Sequence, residues 1–375
     1  MFKNLHIKDY DFKLIIFIIC INVIGILAIG SAGIGTNQMR QIWGSILGFF
    51  LMVVISLFDY SIFLKFYWVW YFVNIGLLLA VRIAGVTVGN AQRWFEIAGI
   101  RFQPSETAKI LLIIFFAQFI MKYKDKVNTF RFLISFAVLA AVPLYLILDQ
   151  PDLSTTLVCV VIICVLLLVG GLDWKIILGA ICVAVPAAIV FLSVILKEGQ
   201  KLIDSYQRKR ILSFIYPEKY VDDAYQQVNS VIAIGSGQLW GKGLNNDSIG
   251  SLKNGNFIIM PDTDFIFAVI GEELGFVGSL IMIVLLFAIC IECLLIARRA
   301  RDVAGRVIAA GVGTLIGIQS FFNIGVTTFI LPNTGLTLPF VSYGLTSLLS
   351  LYIGMGFVLN VRFRSGKTRE KREVF

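Results

Sequence analysis

Asp262, Asp264, Glu272 and Glu273 stand close together in MPDTDFIFAVIGEELGFVG, residues 260–278, where a polar loop runs into an apolar segment. A carboxylate at the edge of an apolar run is costly to desolvate, so it keeps a partner or a task. At a helix entrance Asp264 has two readings. It caps the helix and complements its dipole, or it serves as a general base whose pKa its surroundings raise. Glu272 and Glu273 lie about 12 Å further along if the helix is continuous. At that distance they suit pairing with polar groups on other helices.

Further polar groups gather in VGNAQRWFEIAGIRFQPSETAKI, where Arg93, Trp94, Glu96 and Arg101 occupy a short loop before a helix start at Gln103-Pro104-Ser105-Glu106. Pro104 and Ser105 are ordinary first-turn residues. Lys109 is one turn beyond Glu106 and inside the apolar run, so it either neutralises Glu106 or is kept for an anionic ligand. Asp152, in DQPDL between two spans joined by almost no loop, is explained by the turn itself, yet it would lie at the depth of Lys109. In a long loop, 197–263, Arg208, Lys209 and Arg210 alternate with apolar residues as in an interfacial helix. Lipid headgroups and a lipid pyrophosphate held by Arg forks both fit that pattern. IAIGSGQLWGKGL, later in the loop, reads as a re-entrant or interfacial element.

The elements that carry these groups must cross a bilayer. The 375 residues are 58% hydrophobic and 15% charged, with a mean hydropathy of +0.88, too apolar for a water-soluble domain. Apolar runs long enough to span fall near 12–30, 42–58, 66–82, 105–121, 132–149, 153–170, 175–196, 264–297, 304–330 and 342–361. The expectation is an all-α polytopic membrane bundle of about ten helices in one domain, 1–375, whose first span is a retained signal anchor. Lys and Arg concentrate in alternate connections and in the tail 362–375, which puts both termini in the cytoplasm and loop 197–263 outside.

Several functions are excluded. The net charge of +9 belongs to membrane topology, and no nucleic-acid partner is expected. There is no Walker A or dinucleotide fingerprint. The six Cys fall in apolar runs, and His6 is the only His, so no His/Cys metal site is expected. Gly311, Gly313 and Gly317 read as close helix packing. An oxygen-coordinated ion such as Mg²⁺ stays open.

RWFEIAGIRFQPSETAKI, DQPDLSTTLV, YQRKR…YQQVNSVIAIGSGQLWGKGL, TDFIFAVIGEELGFVGS and LPNTGLTLPFVSYGLTSLL, in this order, resemble the SEDS family (shape, elongation, division and sporulation), in its RodA-like branch alongside FtsW and SpoVE. The resemblance implies a peptidoglycan glycosyltransferase of the cytoplasmic membrane. It would polymerise lipid II at the outer face beside a class B penicillin-binding transpeptidase, in cell-wall biogenesis during elongation or division. Such a transfer needs a base for the acceptor hydroxyl and positive charge for the pyrophosphate, with no general acid, unlike glycoside hydrolysis. The resemblance implies Asp264 as the base. It implies Arg101, Glu106, Lys109, Asp152, Arg208 and Arg210 as the substrate-binding groups, cations among them stabilising pyrophosphate.

The chain departs from the family pattern just before Thr263, around Asp262, at Gln238 where a Gly is usual, and at Leu345-Thr346 where Gly-Ser is usual. Two alternatives share these features: a lipid II flippase, since transporters also use midplane charges and broken helices, and a non-enzymatic scaffold of the wall-synthesis complex. YQRKR and the N-terminal segment favour the elongation role.

Overall fold

The computed structural model describes residues 10–33, 35–88, 91–97, 100–195, 205–245 and 260–373. His6, Lys3 and Lys8, the flanks 196–204 and 246–259 of the long loop, and the last two residues of the tail lie outside the described residues.

The chain is helical and polytopic. The long apolar helices are α1 (Phe12–Ser31), α2 (Gly35–Leu57), α4 (Tyr67–Ala84), α5 (Pro104–Lys122), α6 (Phe130–Asp149), α7 (Leu153–Val169), α8 (Trp174–Ile195), α11 (Ile266–Arg298), α12 (Val303–Thr327) and α13 (Leu345–Glu373). Each falls on one of the ten apolar runs. Eight of them are long and apolar enough to cross a membrane by length and composition, α7 is a shorter apolar helix, and α8 has 22 residues. Among the described residues α3 (Tyr60–Lys65), α9 (Ser205–Ile215) and α10 (Val221–Ser236) are shorter.

Local chemistry sets the helix starts. Asp11, Thr129, Asp152 and Asp302 each accept a backbone N–H in the first turn of α1, α6, α7 and α12, and Pro104 opens α5 where no N–H partner is lost. Helices α5, α12 and α13 are buried over two-thirds or more of their spans, whereas α1, α2, α4, α6 and α11 leave most of theirs exposed. The first three form the centre and the others present Phe, Ile and Leu outward, as a lipid-facing ring does. Helix α2 packs along α13, α11 along α12, and α4 along α5. Phenylalanine and its relatives fill the α4–α5–α6 side, where Tyr71 stacks on Phe115 at 4.4 Å and Phe116 lies 4.3 Å from Phe136.

Two elements differ from expectation. The segment expected as a short loop around Arg93 and Arg101 is an antiparallel ribbon, β1 (Val86–Val88), β2 (Ala91–Ile97) and β3 (Ile100–Phe102), in that order. Glu96 faces Arg101 and Phe95 faces Phe102 across it. Cross-strand pairing of alternating residues outweighs the polar composition that suggested a loop.

The helix carrying Glu272 and Glu273 is not continuous either. It breaks at Gly275 (φ 65°, ψ −162°), a conformation only glycine adopts at little cost. The segment after α10 satisfies the freed backbone groups. Phe276 N donates to Gln238 O at 2.8 Å and Val277 N to Leu239 O at 3.1 Å, while Lys242 N and Gly243 N donate to Glu272 O and Glu273 O at 2.9 and 3.0 Å. The two acids pair with other elements. Lys242 Nζ lies 2.8 Å from Glu272 Oε1, and Ser31 Oγ donates to Glu273 Oε1.

Candidate active site

Residues Asp262 to Asp264 form a turn ahead of α11 that is pinned at every residue. Asn37 on α2 donates to Asp262 Oδ2 at 2.8 Å, and Tyr343 N donates to Asp262 O at 2.8 Å. Ser342 Oγ donates to Thr263 O at 2.6 Å, and Asn323 Nδ2 on α12 donates to Asp264 O at 2.8 Å. The segment 331–344, between α12 and α13, crosses beside this turn. Its Gly335 (φ 68°) has no side chain, and a Cβ there would stand 3.3 Å from Asp264 Oδ2 and 3.6 Å from Arg210 Nη1. Carboxylate and guanidinium therefore border the same space above the glycine, close enough for Arg210 to act electrostatically on Asp264.

Asp264 is partly open to solvent, in contrast to its neighbours Asp262 and Phe265, which are buried. The surrounding protein raises its pKa above the ordinary carboxylate value. Burial is the largest cause, Arg210 acts against it, and Asp262 reinforces it. Arg93 and Asp152 also act on it electrostatically.

Asp152 caps α7 through Thr155 N at 3.1 Å, is buried, and lies 3.8 Å from Arg93 Nη1. Arg93 on β2 also grips the turn before α7. Its Nε donates to Gln150 O at 2.9 Å and its Nη2 to Pro151 O. Deeper in, Lys109 Nζ is 2.8 Å from Glu106 Oε1 and 3.0 Å from Gln319 Oε1. Gln319 passes the connection on to Thr337, whose O and Oγ1 each lie 3.0 Å from its Nε2. Two charge pairs, Arg93–Asp152 and Glu106–Lys109, thus stand in the bundle besides the Asp264 mouth.

The expected residues take different places. Asp264 and Arg210 border the space above Gly335, Asp152 pairs with Arg93 and acts on Asp264 electrostatically, and Glu106 pairs with Lys109. The Arg101 side chain is exposed on β3, and its carbonyl accepts from Thr346 Oγ1 at 3.2 Å. Arg208 Nε donates to Ile195 O at the end of α8. Sequence reasoning assigned no role to Arg93, Gln319, Asn323 or Gly335. Gln319 and Asn323 carried a signal, because two amides four residues apart in an apolar span share one helix face. Among the described residues no three acidic, His or Cys side chains gather as a cation site, and Asp262 is engaged by Asn37.

Fold and site together define a multi-pass membrane protein that presents a raised-pKa carboxylate and an arginine around one space, with two charge pairs in the bundle. Residues 11–367 match the cell cycle protein family of FtsW, RodA and SpoVE, and the chain belongs to that family. It is 35% identical to the peptidoglycan glycosyltransferase MrdB of Escherichia coli K12, over 94% of this chain and 93% of that one. It is 32% identical to the probable peptidoglycan glycosyltransferase FtsW of Bacillus subtilis, over 98% and 94%. Among solved structures it resembles a chain described under the structural coordination of polymerization and crosslinking by a peptidoglycan synthase complex, with a TM-score of 0.77 and 26% identity over 95% of this chain and 98% of that one. It also resembles the rod shape determining protein RodA of Thermus thermophilus, with a TM-score of 0.68 and 25% identity over 94% and 96%.

Proposed function

We propose that this chain is a peptidoglycan glycosyltransferase that polymerises lipid II at the outer face of the cytoplasmic membrane, with Asp264 as general base. The placing of Asp264 and Arg210 around the space above Gly335 carries the reading. A polyprenyl pyrophosphate leaves as an anion, so the transfer needs proton removal from the acceptor hydroxyl and fixed positive charge at the leaving group. Asp264 takes the hydroxyl proton as the new glycosidic bond forms and the bond to pyrophosphate breaks. Arg210 holds the departing charge. The raised pKa brings the carboxylate closer to working pH, where a base is most effective.

The relatives named as peptidoglycan glycosyltransferases support the same activity. The excess of Lys and Arg in alternate connections supports cytoplasmic termini and an external site. The synthase-complex structure, described as coordinating polymerization and crosslinking, supports a crosslinking partner for this chain, and the family resemblance makes that partner a class B penicillin-binding transpeptidase. The YQRKR motif favours cell elongation and shape over division.

The break at Gly275 favours a second reading, a lipid II flippase, because transporters build their sites on broken helices. One experiment separates the two. Purified protein in detergent, supplied with lipid II, is expected to yield glycan chains, and Asp264→Ala to yield none. Polymer from Asp264→Ala at the wild-type rate overturns the base assignment. Trans-bilayer movement of lipid II by a wild type that makes no polymer turns the reading to the flippase.

A further inference from the structure

We infer that Asn323 is a positioning residue for Asp264: its carboxamide fixes the backbone of the base to the glycine turn that faces it. The inference rests on the proposed glycosyltransferase reading.

Asn323 is on α12 and 1% exposed. Both hydrogens of its amide are spent on loop carbonyls from different parts of the chain, Asp264 O at 2.8 Å and Leu336 O at 2.6 Å. Its Oδ1 is buried with no hydrogen-bond partner. The amide orientation follows from these contacts, because the flipped form would set Oδ1 against two carbonyl oxygens. A buried acceptor without a partner is unfavourable, and an apolar residue would fill the same space without that burden. The polar side chain is therefore explained by what its nitrogen holds together.

What it holds is the geometry of the mouth. Leu336 follows Gly335, the residue whose missing side chain leaves the space that Asp264 Oδ2 and Arg210 border. One carboxamide thus ties the residue that carries the base to the turn that leaves room before it. The other pins act next door: Ser342 holds Thr263 and Asn37 holds Asp262. Asn323 alone among these bonds to the main chain of Asp264. Gln319, one turn earlier on the same face, ties the same segment at Thr337 to Lys109, so this face of α12 sets the position of 331–344 relative to both Asp264 and Lys109. Misplacing a reacting group by about 1 Å costs on the order of 10²-fold in rate.

The test uses the full-length protein in detergent with lipid II. Asn323→Leu removes both donors at nearly constant shape, and Asn323→Asp keeps the shape but sets a carboxylate against two carbonyls. Expected for both is a fall in kcat of about 10²-fold, with KM for lipid II within about twofold and a displaced acid limb of the pH–rate profile, since Asp264 no longer keeps its place beside Arg210. Thermal unfolding of each variant gives the folded fraction by which kcat is corrected. A corrected kcat within threefold of wild type, or a loss with the acid limb unmoved, overturns the inference. Failure of the underlying reading looks different, because wild type would then make no polymer, or Asp264→Ala would make as much.

Discussion

Lys109→Met separates a lysine that serves the fold from one that serves the substrate. The ammonium is 1% exposed and has two polar partners, Glu106 at 2.8 Å and Gln319 at 3.0 Å. Removing it leaves the Glu106 carboxylate buried without its counter-charge, a change that costs about 3–5 kcal/mol when one partner of a buried pair is lost. Glu106→Gln alone strands the ammonium at a similar cost. The double variant leaves two neutral side chains, with the new carboxamide on α5 placed to bond Gln319. Its loss is therefore expected to fall short of the sum of the singles by about 2–3 kcal/mol. Unfolding of the four purified proteins in detergent closes the cycle, and polymer yield from lipid II is read on the same samples. Additive losses in stability refute the pairing. Full recovery of stability without recovery of polymer assigns Lys109 a contact with the substrate as well.

Polymerisation should require ionised Asp264, so the rate falls as pH drops through its pKa. Because burial raises that value, the acid limb is expected above the ordinary carboxylate range near about 3.9, and Arg210→Ala, which removes an opposing influence, should move it higher still. A limb unmoved by Arg210→Ala refutes the electrostatic argument. Gly335→Ala places a methyl 3.3 Å from Asp264 Oδ2 at a φ of 68°. Polymer should drop at least about tenfold, while the strain of a left-handed alanine, about 1 kcal/mol, leaves the protein folded by thermal unfolding. Gln238 adopts a φ of 50° where the family pattern has glycine, so Gln238→Gly should relieve up to about 1 kcal/mol of strain and raise the midpoint of thermal unfolding.

The spans were legible because lipid demands long apolar runs, and every run found by length became a helix. The place of Asp264 at the entry to an apolar helix was legible from the polar-to-apolar step in the sequence, while capping and catalysis stayed open there until the resemblance to the family favoured the base. The break at Gly275 was hidden, since GEELGFVG reads as helix by apolar content, and only the distant Gln238–Gly243 strip makes the break tolerable. The Arg93 grip on the turn at Gln150–Pro151 was hidden for the same reason: its partners are carbonyls far along the chain, and composition says nothing of carbonyls. Leu345 and Thr346 looked like drift from a motif. In the fold Leu345 covers Gly44, and Thr346 bonds both Arg101 O and Gln103 N, so the larger residues close the end of α13 onto α2 and the ribbon.

The interruption of α11 has a mechanical consequence. Phe276–Arg298 alone rises about 34 Å, enough to match a bilayer core of about 30 Å. A change in lipid thickness is then expected to be met by a small tilt of this piece along its α12 contact, while the short piece before the break stays held by the strip after α10 and the turn ahead of it by Asn323 and Ser342. The glycine acts as a universal joint between a shaft set by the lipid and a workbench set by the protein. Reconstituted in bilayers whose lipids differ by several ångströms in thickness, the protein should polymerise at one rate, and a rate that tracks thickness would show that the joint transmits what it is built to absorb.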